Sequence, residues 1–133
     1  MHPAIAQEWA RLVDSFPGIG HLLNPERVVV ELPLPASMYN LLSTQVAVLI
    51  PAGYRATGPD GFLIPAGLGL LSGQALPVSD ATGIGMQGWL LVSFHMLDAN
   101  GQTTWRPTAD PERGDNMTTY LSEIAHFLGR SCN

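Results

Sequence analysis

A chain of 133 residues, 46% hydrophobic and only 13% charged, is too apolar to stay unfolded and long enough to bury a core. One domain is therefore expected over residues 1–133, with its core at about 4–129. The net charge is −5, and the basic residues are all arginines scattered at 11, 27, 55, 106, 113 and 130, so no basic patch exists for nucleic-acid phosphates.

No apolar run reaches the roughly 20 residues of a membrane span, and no basic-then-apolar start suggests a secretory signal. The single cysteine, Cys132, excludes an internal disulfide and fits a reducing cytoplasm. The lack of lysine follows most simply from a genome rich in arginine codons. It also means that a chain handling activated acyl groups would offer them no side-chain amine.

In chain order, Pro3 suits a first helical turn, and Ile5, Trp9, Leu12, Val13 and Phe16 then recur at helical spacing until Pro17-Gly18. The spacing predicts a helix at about 4–15. Arg27–Leu32, rich in β-branched residues, predicts a strand ended by Pro33 and Pro35. Gln45–Ile50 predicts a second strand closed by Pro51, with Tyr39–Ser43 a turn or the approach to it. Phe62–Ile64 is a short third strand, and 66–88, with six glycines, reads as loop.

Trp89–His95 is a fourth extended segment. Period-two alternation sets Trp89, Leu91, Ser93 and His95 on one face and Leu90, Val92 and Phe94 on the other. Asn100-Gly101 marks a tight turn. Asp115 or Asn116 can cap a last helix whose apolar stripe is Met117, Leu121, Ile124 and Leu128, with Gly129 at its exit. His21 and His126 read as helix-flank or surface residues. The order is helix, strands, irregular stretch, helix, which is α+β.

Strand 45–50 followed by Pro51-x-x-Tyr54 and Pro59-x-x-Phe62 is similar to the Tyr-Pro…Pro-Pro segment of ubiquitin-conjugating enzymes, where a proline-rich turn joins two antiparallel strands. There Tyr54 would offer a large ring to cover the sheet edge. His95 with Trp105-Arg-Pro107 resembles that superfamily's nucleophile segment, and Asp115–Leu121 resembles the helix after it. Within the superfamily the chain resembles the prokaryotic branch called family E. The resemblance spans roughly 27–129. It implies a ubiquitin-conjugating-like fold with an N-terminal helix, an antiparallel meander of three to four strands, an irregular active-site-like stretch and a C-terminal helix. It also implies partners: a ubiquitin-like protein, a ThiF-type activating enzyme and a JAB-type peptidase.

Three departures stand out. Arg55 follows the tyrosine where the family has proline. The acyl-carrying cysteine has no counterpart, because Cys132 lies beyond the last helix, and a histidine stands about where it should be. The upstream His-Pro-Asn, whose asparagine helps hold the oxyanion, is absent.

An acyl-imidazole hydrolyses quickly, so His95 suits a general base better than a carrier. Ser93, on the same strand face, is the candidate to carry an acyl group as an oxyester with His95 activating it, although side chains two apart on a strand sit about 7 Å apart. Asp98, Asp110 or Asp115 would orient the imidazole, and the sequence does not choose among them. The plainer alternative makes His95 a boundary residue bound to a backbone carbonyl, with Ser93, Trp105 and Pro107 structural. Four dispersed histidines and one cysteine provide no metal-ligand pair, and no cofactor motif is present. Two functions remain: an acyl-transfer component, or a non-catalytic adaptor of the same fold.

Overall fold

The computed structural model describes residues 1–94, 104–110 and 112–129. His95, the Asn100-Gly101 turn and Cys132 lie outside the described residues. In order the elements are α1 (Pro3–Ser15), β1 (Gly20–Leu22), β2 (Arg27–Pro33), β3 (Ser43–Leu49), β4 (Phe62–Pro65), β5 (Val78–Asp80), a 3-10 turn (Thr82–Ile84), β6 (Trp89–Val92) and α2 (Met117–Leu128). The strands form one antiparallel sheet in the order β1-β2-β3-β4-β6-β5. The α+β reading with a helix at each end of an antiparallel sheet holds, but the sheet has six strands, not three or four. Only β1–β4 run as a simple meander, since β6 pairs with β4 and β5 lies outside it.

The two extra strands are three-residue edges. β1 pairs with β2, and β5, inside the stretch read as loop, pairs with β6. Neither is long enough to carry an alternation, so each exists only through a neighbour's ladder. His21, read as a flanking residue, lies within β1. The fourth strand is also shorter than expected, since β6 stops at Val92 and leaves Ser93 outside it.

Both helices pack on one face of the sheet. Ile5 and Leu12 of α1 and Met117, Leu121, Ile124 and Leu128 of α2 meet Val28, Val30, Val46, Val48, Phe62, Ile64 and Val92 in a single core. Alternation sends Ala47 and Leu63 to the other face, where Ala81 and Met86 cover them in part, with Leu49, Trp89 and Leu91 alongside. α2 opens on a capping box: Asn116 accepts from the Thr119 amide at 3.0 Å, and the Thr119 hydroxyl accepts from the Asn116 amide at 3.0 Å. α1 is capped by His2, whose Nδ1 accepts from the Ala4 amide at 3.1 Å.

At the turn into β2, one Glu26 oxygen holds the His21 Nε2 at 2.7 Å and the His2 amide at 2.7 Å. The hydrogen bond from His21, and then that from the His2 backbone, lower the Glu26 carboxyl below its ordinary 4.5. A carboxyl depressed in the folded state contributes stability above its unfolded value and loses it as pH falls through the folded one. Urea unfolding should therefore find Glu26→Gln less stable than the parent at pH 7, with the gap closing as pH drops below 4.5. A gap that stays constant down to pH 3 would remove the pair from the stability account.

Candidate functional site

The loop between β3 and β4 is built inward. The Tyr54 amide donates to the Pro51 carbonyl at 3.0 Å and Thr57 to Gly53 at 2.8 Å, so the prolines and turns fold the loop back on itself. Tyr54 does not lie on a sheet edge; it is 5% exposed and belongs to the core. Its hydroxyl donates to Glu8 of α1 at 2.9 and 3.0 Å. Arg55, the residue that departs from the family's proline, binds the same carboxylate through Nε at 3.0 Å. The Met117 amide, at the start of α2, donates to Glu8 at 2.8 Å.

One buried carboxylate thus ties α1, the proline-rich loop and α2 together. Burial, and then the adjacent Glu8 charge and hydrogen bond, push the Tyr54 phenol far up, so it stays a donor. Glu8 was missed in the sequence, although it falls on the apolar face with Ile5 and Leu12. A carboxylate in that stripe requires a partner, and this was the available clue.

Beside the network lies a recess of about 380 Å³ lined by Ala4, Tyr54, Arg55, Ala56, Pro107, Thr108 and Ala109. The Trp105 indole donates to the Arg55 carbonyl at 2.7 Å and lies against Gly58, where an added Cβ would come within 2.7 Å of the ring. Beyond it, Arg106 and Asp115 exchange hydrogen bonds of 2.7 and 3.0 Å, and Pro107 bridges Gly114. Trp105 and Pro107 therefore shape the loop leading into α2.

Ser93 is exposed and follows directly on β6. Phe62 pairs with Val92, so Gly61 and Ser93 sit one step beyond the last pair. Next in the chain, the Phe94 carbonyl accepts from the Tyr120 hydroxyl at 2.9 Å. A shallow recess of about 190 Å³, lined by Leu49, Asp60, Gly61, Leu63, Ile84 and Leu91, opens on the opposite sheet face beside this point. Of the acids considered for orienting an imidazole, Asp115 is engaged with Arg106, and Asp110 holds the Glu112 amide at 2.9 Å; Asp98 lies outside the described residues.

Among the described residues no cluster of three or more His, Cys, Asp or Glu could hold a metal ion. No helix among them is long and apolar enough to cross a membrane.

A helix, a six-stranded antiparallel sheet with a proline-rich inward loop between β3 and β4, and a second helix entered through Trp105 and Pro107: this is a ubiquitin-conjugating-like fold. A profile of prokaryotic E2 family E matches residues 24–131, and the chain belongs to that family. The family ties it to prokaryotic ubiquitin-like conjugation. No curated protein and no solved structure shows significant similarity.

Proposed function

We propose that this protein is an acyl-transfer component that receives the C-terminus of a ubiquitin-like protein from a ThiF-type activating enzyme. Ser93 is the acyl carrier and His95 its general base. The observation that carries the reading is the place of Ser93: an exposed hydroxyl where the chain leaves β6, beside a backbone fixed by Tyr120.

In the step, Ser93 Oγ attacks the carbonyl carbon of the thioester on the activating enzyme. The C–O bond forms, the C–S bond breaks, the hydroxyl proton passes to His95, and the departing thiolate takes up a proton. The oxyester then gives the acyl group to an acceptor amine. A JAB-type peptidase would act on the product. The chain itself has no lysine to compete as acceptor.

The second reading is an adaptor that binds the ubiquitin-like protein or its activating enzyme without a covalent step. The missing cysteine and the missing His-Pro-Asn favour it.

Incubation with activating enzyme, ATP and the ubiquitin-like protein decides between them. The transfer reading expects an adduct that hydroxylamine removes and thiol reductant does not. The adduct should persist in Cys132→Ser and fall at least about a hundredfold in Ser93→Ala and His95→Ala. Tight binding with no adduct leaves the adaptor. Transfer intact in both alanine variants refutes the site.

A further inference from the structure

Phe94, directly after Ser93, and Trp105, which leads into α2, both meet the side chain of Tyr120. Upstream, the Tyr120 hydroxyl donates to the Phe94 carbonyl at 2.9 Å, and the two rings stand edge to face at 5.7 Å. Downstream, the Trp105 ring meets Tyr120 at 6.2 Å with an interplanar angle of 80°. Tyr120 is 1% exposed and sits in the first turn of α2, so its ring is locked by the core. The hydroxyl lies where ladder pairing has ended at Val92 and a free carbonyl needs a donor.

We propose that Tyr120 is a positioning residue for the candidate site. Its phenol holds the Phe94 carbonyl and so fixes where Ser93 leaves the sheet. The inference rests on the acyl-transfer reading, because positioning matters only if Ser93 must meet an acyl carbon. Holding a nucleophile in one geometry is a large part of what a protein contributes to such a step, and a displacement near 1 Å forfeits much of it. Burial, opposed by the Gly61 amide and reinforced by the Asp60 charge, pushes the phenol up well beyond its ordinary range. Tyr120 therefore remains a donor across the pH range of any assay.

A side chain that only filled space would be matched by any equal disturbance of the same aromatic cluster. Phe127, whose ring lies 5.0 Å from Phe94 and 6.1 Å from Phe62, supplies that control. Tyr120→Phe keeps the ring and deletes the hydroxyl; Phe127→Leu disturbs the cluster and keeps the hydrogen bond.

The experiment follows adduct formation at saturating and limiting charged ubiquitin-like protein, with amide exchange at Ser93 and Phe94 measured in parallel. In Tyr120→Phe the maximal rate should fall about tenfold with the half-saturating concentration unchanged, whereas Phe127→Leu should change the rate less than about twofold. Exchange at the two amides should rise about tenfold in Tyr120→Phe alone. Equal losses in the two variants, or unchanged exchange in Tyr120→Phe, overturn the positioning role. Faster exchange in Tyr120→Phe together with no adduct from the parent protein overturns the acyl-transfer reading and leaves the anchor in place.

Discussion

Glu8→Ala should lower the unfolding free energy by about 3–5 kcal/mol, measured by urea denaturation at pH 7, the range found when one member of a buried ion pair is removed. Arg55 is 8% exposed and Tyr54 5%, so neither group left behind can turn to water without opening the structure. The loss is threefold in kind: the guanidinium keeps its charge without its carboxylate, the Tyr54 hydroxyl loses its acceptor, and the Met117 amide loses the bond that anchors the start of α2.

Arg55 is not stranded completely, because Gln7 at 3.0 Å and the Ala4 carbonyl at 3.3 Å still accept from it. Those contacts set the lower end of the range. The pair itself, as opposed to its rupture, adds little, since desolvation of both charges offsets their attraction. Glu8→Ala combined with Arg55→Met should therefore cost clearly less than the two single changes summed. Additive losses would mean that the groups do not act as a unit. The Tyr54 phenol gives an independent optical readout. In Glu8→Gln the carboxylate charge is gone while burial remains, so phenolate absorbance should appear at lower pH than in the parent.

What could be read from the chain alone follows from the range of the interactions involved. α1 and α2 carry periodic apolar patterns, and β2, β3 and β4 short apolar or β-branched runs, each with a stop beside it, so local residues suffice to mark them. β1 and β5 are too short for that; Gly20-His21-Leu22 and Val78-Ser79-Asp80 become strands because β2 and β6 present free edges. The inward course of Tyr54 and Arg55 depends on a partner 46 and 47 positions away, which no local pattern encodes.

Tyr120 shares the buried face of α2 with Met117, Leu121 and Ile124, although the stripe read from the sequence left it out. Its hydroxyl gains meaning from Phe94, 26 positions earlier. Glu8 is the instructive case, because an acid three residues after Ile5 and four before Leu12 was legible in principle. Ser93 keeps its candidacy in altered form. It is an exposed residue just past the strand, not a member of a regular face that alternation would share with His95.

Gly61→Ala should cost about 2–4 kcal/mol, and it reports on the same corner of the molecule by a different route. Gly61 has φ of +145°, and a Cβ built there would stand 2.4 Å from the Val92 carbonyl oxygen. The obstacle is backbone in the last paired residue of β6, so no rotamer change relieves it; β4 and β6 must part or Gly61 must change conformation. Gly67→Ala and Gly83→Ala are the controls. Neither would meet an atom within 4 Å or sit at positive φ, and each should be neutral or slightly stabilising through a less flexible unfolded chain. Because the residue after Val92 is Ser93, parting the strands also moves the hydroxyl. If Ser93 is the acyl carrier, Gly61→Ala should slow adduct formation at temperatures where the variant is still folded, and the Gly67 variant should not. A Gly61→Ala protein as stable as Gly67→Ala would show that the close approach of β4 to β6 is not required, and the rigid exit on which the site depends would go with it.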